Sequence, residues 1–182
     1  MNNSGTKLEQ LVTLIDRHTL ERGGGPTAVS DFILFRDSAG QKRKGQLYQP
    51  FILFMVQGEK HLIIGGESYR FKPGDALTLF LPTSLEVERA ELPEDEPYLM
   101  ACLKVDLGRI AKLLLKLDTL TPPQSPLSGT SEKNKALGFH FAPMSDHLLD
   151  PVIRLLHTLD NPQDIAMLSD SIVDEILSLI HI

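Results

Sequence analysis

Between Thr27 and Asp106 the apolar residues recur with a period of two, and this stretch decides what the chain can fold into. "AVSDFILFR", "PFILFMVQ", "HLIIGG", "ESYRF", "ALTLFL", "LEVERA" and "PYLMACLKVD" are each of strand length, and Gly, Pro or Asp turns separate them. Short strands at this spacing describe an antiparallel barrel or sandwich. The alternation also gives direction. Arg70 and Lys72 require water, so Tyr69 and Phe71 face inward, and Glu86 and Glu88 face out while Leu85 and Val87 face in. The interior is expected to be apolar.

The flanks carry a different period. "TKLEQLVTLIDRH" places Leu8, Leu11, Val12 and Ile15 at helical spacing, with Thr6 and Glu9 as a capping box and Gly23 to Gly25 as a stop. After the strands, Asp106 caps "LGRIAKLLLKLD", whose stripe is Ile110, Leu113, Leu114 and Leu117. A Pro/Ser-rich stretch over 118–136 reads as a long loop, and "ALGFHFAPM" as a brief strand. Two amphipathic helices follow. The regular part of "SDHLLDPVIRLLHTLD" is expected from Pro151, with Val152, Leu155, Leu156 and Leu159 as its stripe. Asn161 and Pro162 start "NPQDIAMLSDSIVDEILSLIHI". Two parts result: a barrel with a short N-terminal helix over 1–106, and a helical segment over 107–182. No internal repeat is present.

With 182 residues, 42% of them hydrophobic, the chain can bury one core and a small helical appendage. A net charge of -6 opposes holding nucleic acid by overall field. The basic cluster "GQKRKGQ", Gly40 to Gln46, reads as a solvated turn. The lone Cys102 excludes an intramolecular disulfide framework, fits a reducing cytosolic compartment, and reads as a small buried hydrophobe. "MNNSGTKLEQ" lacks the make-up of a signal peptide, and no stretch has the length of a membrane span.

Metal and nucleophile chemistry find little support. The histidines are His18, His61, His140, His147, His157 and His181, and no two have ligand spacing. His61, beside Glu59 and Lys60 in a half-wet hairpin, reads as a rim residue. His147 and His157 would lie about 15 Å apart along one helix. Ser145, Asp146 and His147 are adjacent only as a helix start, "RGGGPT" lacks the strand that a phosphate loop requires, and Glu94, Asp95 and Glu96 sit in an exposed turn. No catalytic residue, metal ligand or cofactor is expected, and the chain is read as a non-enzyme.

"GEKHLIIGGESYRFKPGDALTLFLPTSLEV" resembles the double-stranded β-helix of the cupins, without the histidines that metal-binding cupins place where "PFILFMV" and "PTSLEV" stand here. The fold is therefore expected to be mainly β with flanking helices (α+β), a cupin-like barrel followed by a C-terminal helical segment. Read from about Leu8 to Leu177, the order of the segments is similar to the N-terminal half of AraC-type bacterial transcriptional regulators. The most specific pieces are Gln-Gly-x-Lys at Gln57 to Lys60, Pro73-Gly74, Pro-Tyr-Leu at Pro97 to Leu99, and Leu-Asp-x-Pro at Leu159 to Pro162.

The resemblance implies a cytoplasmic sensing and dimerising domain that regulates transcription. A small effector of unknown identity would bind inside the barrel, and helices packed on it would pair two chains as a homodimer. DNA would be reached only through a C-terminal helix-turn-helix half, which regulators of this kind carry over about another hundred residues, so a fragment of a longer protein is expected. Arg36, ending a strand that resembles a ligand-contacting strand, is the first nominee for the effector site. Tyr48, Tyr69, Leu99 and Ala101 are nominated from strand phase. Ile110, Leu113, Leu114, Leu117 and Leu155 are nominated for pairing. The alternative is a metal-free cupin enzyme such as a sugar isomerase or epimerase, which would need an acid–base pair inside the barrel. A third reading is a dimerisation module whose barrel is filled by its own side chains.

Overall fold

Alternating apolar runs broken by tight turns give ten strands among the residues described by the computed structural model, namely 3–20, 23–37, 43–89, 97–118 and 138–180. They are β1 (Gly25–Pro26), β2 (Phe32–Asp37), β3 (Arg43–Tyr48), β4 (Phe51–Gln57), β5 (Lys60–Ile64), β6 (Glu67–Phe71), β7 (Asp75–Leu79), β8 (Thr83–Arg89), β9 (Tyr98–Lys104) and β10 (Phe139–Pro143). All described pairings are antiparallel. One sheet has the order β1-β2-β9-β4-β7-β10 and faces a second of order β3-β8-β5-β6. The helices are α1 (Asn3–Thr19), α2 (Leu107–Asp118), α3 (Asp146–Thr158) and α4 (Pro162–Leu179). The architecture is α+β and cupin-like.

Two apolar cores explain the strand sequences. Between the sheets lie Phe51, Met55, Leu62, Ile64, Phe71, Leu77, Leu79, Leu85, Met100, Cys102 and Phe139. On the other face of the six-stranded sheet, Leu34, Ile52, Phe54, Leu99, Ala101 and Leu103 meet Leu11 and Ile15 of α1 and Val152, Leu155 and Leu156 of α3. This sheet is covered on both faces, so its central strands are apolar at successive positions: six consecutive residues of β9 are buried. The four-stranded sheet has one wet face and keeps the alternation, with Leu85 buried between exposed Ser84 and Glu86.

The Pro73-Gly74 turn is built by backbone geometry. Gly74 sits at φ +90°, and its N–H donates to the Met55 carbonyl at 2.9 Å. Only glycine adopts that φ without strain. The Asp75 carboxylate closes the turn by accepting from the Lys72 N–H at 3.1 Å. Asp106 caps α2 as its position suggests, accepting from the Gly108 N–H at 2.8 Å, and Asn161 caps α4 through the Gln163 N–H at 3.0 Å.

Two helix starts differ from the sequence reading. The first helix begins at Asn3, so Thr6 and Glu9 lie inside it rather than at its cap. The third begins at Asp146 and carries Pro151 within it. The first four N–H groups of a helix have no intrahelical acceptor, so a proline this near the start forgoes a single ladder bond, that to the His147 carbonyl.

Two of the residues nominated for pairing are inside the monomer. Leu155 is 0% exposed, in the core against the sheet, and Ile110 is 6% exposed. An apolar stripe can face its own sheet as readily as another chain, and here α3 is held between α1, α4 and the barrel. On α2, Leu113 is partly buried against the same core, whereas Leu114 and Leu115 are 39% and 68% exposed. The side chain of Leu117, residues 119–137, residues 40–42 and the side chains of 43–46 in the basic cluster lie outside the described residues.

Candidate functional site

The space between the sheets is filled on one side and open on the other. Under β6, β7 and β10 the Tyr69 ring packs edge-on to Phe139 at 5.2 Å, and Phe71 edge-on to Phe141 at 5.6 Å. Toward β2, β3, β8 and β9 there is a cavity of about 900 Å³. Its wall is mainly apolar, with Ile33 and Phe35 from β2, Leu53 from β4, Leu62 from β5, Leu85 and Val87 from β8, and Met100 and Cys102 from β9. A concave, largely apolar space of this size with a few polar groups is the usual form of a small-molecule site.

Of the nominated effector residues, Arg36 and Tyr48 line the cavity. Tyr48 is braced edge-on by Phe51 at 5.9 Å. Arg36 contributes to the wall while its guanidinium pairs with the Asp16 carboxylate of α1, tying the strand to the helix layer. Tyr69 is turned to Phe139 and Phe141 in the filled side, and its hydroxyl donates to Glu67 at 2.9 Å. Leu99 and Ala101 point into the core beneath the helices and do not line the cavity. Their inward-facing neighbours are Met100 and Cys102. With apolar residues on both faces of β9, strand phase alone gave no direction there.

The polar groups of the cavity are few. Asp31, Lys104 and Asp106 line it from exposed positions, and Lys60 lines it from a buried one. Lys60 shares the inward face of β5 with Leu62 and Ile64, is 8% exposed, and holds its Nζ 5.3 Å from the centroid of the Tyr98 ring. Burial pushes the Cys102 thiol up to about 12, so at neutral pH it is protonated and unreactive. His61 does not line the cavity, lying half-exposed with Nε2 3.5 Å from Glu59. Arg70 hydrogen-bonds both oxygens of Glu59, at 2.6 and 2.7 Å, and these bonds hold that carboxyl below its usual range. Among the described residues, no group of three or more His, Cys, Asp or Glu side chains is placed to hold a metal ion.

The cavity adjoins the start of α2. Val105, Asp106 and Leu107 line its mouth, and Leu107 begins the helix. Two residues on, the Arg109 Nε donates to Asp174 of α4 at 2.5 Å, and its Nη1 lies 3.3 Å from Asp170. A continuous set of contacts therefore runs from the cavity mouth through α2 to α4. A shallower depression between α1, α3 and α4 is crossed by the Lys7–Asp150 pair at 2.7 Å and edged by the Arg154–Glu175 pair at 2.5 Å.

The same architecture occurs in solved structures of ToxT from Vibrio cholerae. An apo ToxT is 12% identical with a TM-score of 0.58, over 85% of this chain and 56% of that one. ToxT bound to (E)-4-(8-methylnaphthalen-1-yl)but-3-enoic acid is 12% identical with a TM-score of 0.53, over 82% and 54%. ToxT bound to an unsaturated fatty acid is 11% identical with a TM-score of 0.50, over 82% and 51%. The chain spans about half the length of these relatives. No curated protein matches it. Among the described residues no helix is long and apolar enough to cross a membrane. The family model for the AraC-type transcriptional regulator N-terminus matches residues 28–180, and the chain belongs to that family, as a regulatory N-terminal domain.

Proposed function

We propose that this chain is the effector-sensing and self-pairing part of a cytoplasmic AraC-type regulator, and that its effector is a small, mainly apolar molecule bound between the sheets. The observation that carries this reading is the half-filled barrel. Aromatic rings close one side, while a cavity of about 900 Å³ is left lined by Ile33, Phe35, Leu53, Leu62, Leu85, Val87 and Met100. A void of that size forfeits dispersion contacts and stabilisation, so a barrel with only a scaffold role would do better filled. The acids named with the ToxT structures have large apolar bodies, which agrees with such an effector.

Acid–base catalysis finds no support in the wall. Among the described residues none that lines the cavity is a histidine, and the lining carboxylates, Asp31 and Asp106, are exposed. Regulation would proceed by linkage. An effector touching Leu107 at the cavity mouth favours one position of α2, and α2 passes this to α4 through Arg109 and to a second chain through exposed Leu114 and Leu115. DNA recognition would belong to a C-terminal part of the longer protein. The test is solvent extraction of the chain purified without detergent from bacterial cells, followed by mass spectrometry. A small apolar molecule at near one equivalent, absent from a folded Val87→Trp variant, is the expected result. The same molecules in both proteins would overturn the reading.

A further inference from the structure

The last turn of α1 and the turn between α3 and α4 are joined around one carboxylate. Arg17 of α1 donates to both oxygens of Asp160 at 2.7 Å. His18 holds its Nε2 3.4 Å from Asp160 Oδ1, and His157 of α3 holds its Nδ1 3.7 Å from Oδ2. Gln10, two turns back on α1, lies with its Nε2 3.3 Å from the Nε2 of His157. One residue before this cluster, Asp16 pairs with Arg36 of the cavity wall, and one residue after it Asn161 caps α4. The junction therefore stands between the wall strand β2 and the helix that receives Arg109.

His18 is the sheltered member of the cluster, its side chain 18% exposed against 53% for Arg17, 50% for His157 and 44% for Asp160. Its ring bonds the Leu156 carbonyl, which requires an N–H, and its Nε2 faces the Arg17 Nη2 at 3.4 Å, which requires a lone pair. The neutral ring meets both requirements. A proton added at Nε2 brings two cations together and makes them compete for Asp160, and partial burial opposes the new charge further. Burial is the largest cause holding the His18 ring below its ordinary value; Asp160 opposes it, and Arg17 and His157 reinforce it. The other charges brought to α1 are engaged elsewhere, Arg36 of β2 with Asp16 and Lys7 with Asp150, while β4 and β9 present apolar side chains.

We propose that His18 is the proton-binding residue of a clasp between α1 and the α3–α4 turn, closed while its ring is neutral and loosened when the ring takes up a proton. The opened clasp binds the proton at the ordinary value, near 6.5, and the closed one only at lower pH, so the open form gains population as pH falls through that range. Linkage limits the gain to about eight-fold between about pH 7 and about pH 5.5. Backbone hydrogen exchange at these two pH values, each rate divided by its intrinsic value, reads the opening locally. A local reading is needed because Asp75 acts in the opposite direction on the whole fold. Amides of 15–19 and 157–161 should exchange about three- to eight-fold faster at the lower pH, while those of β4 and β9 do not. His18→Asn keeps a donor for the Leu156 carbonyl without a titrating ring and should lose the response, whereas His157→Asn should keep it. No response in the wild-type chain, or an equal one in His18→Asn, overturns the proposal. So does a response lost in His157→Asn alone. Where His18→Asn fails to fold, NMR titration of the His18 ring in the wild-type chain decides. A midpoint below about 6.5 that coincides with the exchange step supports the clasp, and one above it overturns it.

Discussion

The Tyr98 ring occupies the space that a side chain at Gly58 would need, with Cδ1 2.4 Å and Cε1 2.9 Å from where a Cβ would stand. Gly58 is also at φ +86°, a conformation that disfavours any Cβ. Gly58→Ala therefore combines a backbone penalty with a clash against a ring that is 2% exposed, and should cost roughly 2–4 kcal/mol. Denaturant unfolding measures this, and a cost within about 0.5 kcal/mol of zero contradicts it. In a Tyr98→Ala background the same substitution should cost less, because the clashing partner is gone.

The buried Cys102 thiol, raised to about 12 and facing the cavity, should react slowly with a disulfide reagent at neutral pH and become fast on unfolding. Since it is the only cysteine in the chain, the signal has a single source. A probe that occupies the cavity should slow the native reaction further. A native rate equal to that of the unfolded chain would show that the wall is not closed around this residue.

Asp75 gives a pH signature. Burial raises its carboxyl above the ordinary value, and the hydrogen bond from Lys72 opposes the rise without cancelling it. A carboxyl with a raised folded pKa favours the fold when protonated. Its contribution is complete below the unfolded value, near 4, and is lost as pH rises through the folded one. Relative to Asp75→Asn, the wild-type chain should gain stability on acidification from about pH 7 toward about pH 4. Unfolding midpoints of both proteins across that window check the sign, and an unchanged difference contradicts it.

Pairing, if made by α2, has a clear test, because the apolar residues of the helix layer divide into exposed and core positions. Leu114→Glu with Leu115→Glu should leave the fold intact and shift the sedimenting species from dimer to monomer, as both side chains are exposed. Leu155→Ala should instead cost about 2–5 kcal/mol, since it is fully buried in the monomer. A wild-type chain that sediments as a monomer at micromolar concentration contradicts the pairing proposal.

How much of this was legible in the sequence follows from how many faces of each element are buried. Strands wet on one face announce their direction: Leu85, Val87 and Phe71 lie inward as their charged neighbours require. β9 is buried on both faces, so its phase was unreadable, and Leu99 and Ala101 were nominated where Met100 and Cys102 line the cavity. The same ambiguity hid the burial of Leu155, whose stripe faces its own barrel. Lys60 was passed over because a lysine beside Glu59 reads as a wet hairpin. The available signal was its phase, two residues before Leu62 and four before Ile64 on the inward series.

Uptake of an apolar effector by the open half of the barrel is tested by calorimetric binding of dodecanoate to the wild-type chain and to Val87→Trp. The added ring enters a space of about 900 Å³ without disturbing the aromatic cluster at Phe139, so the variant should unfold at or above the wild-type temperature. One saturable site per wild-type chain is expected, with at least about a ten-fold loss of affinity in the folded variant. Equal affinity for the two proteins, or no saturable binding to the wild-type chain, would contradict it.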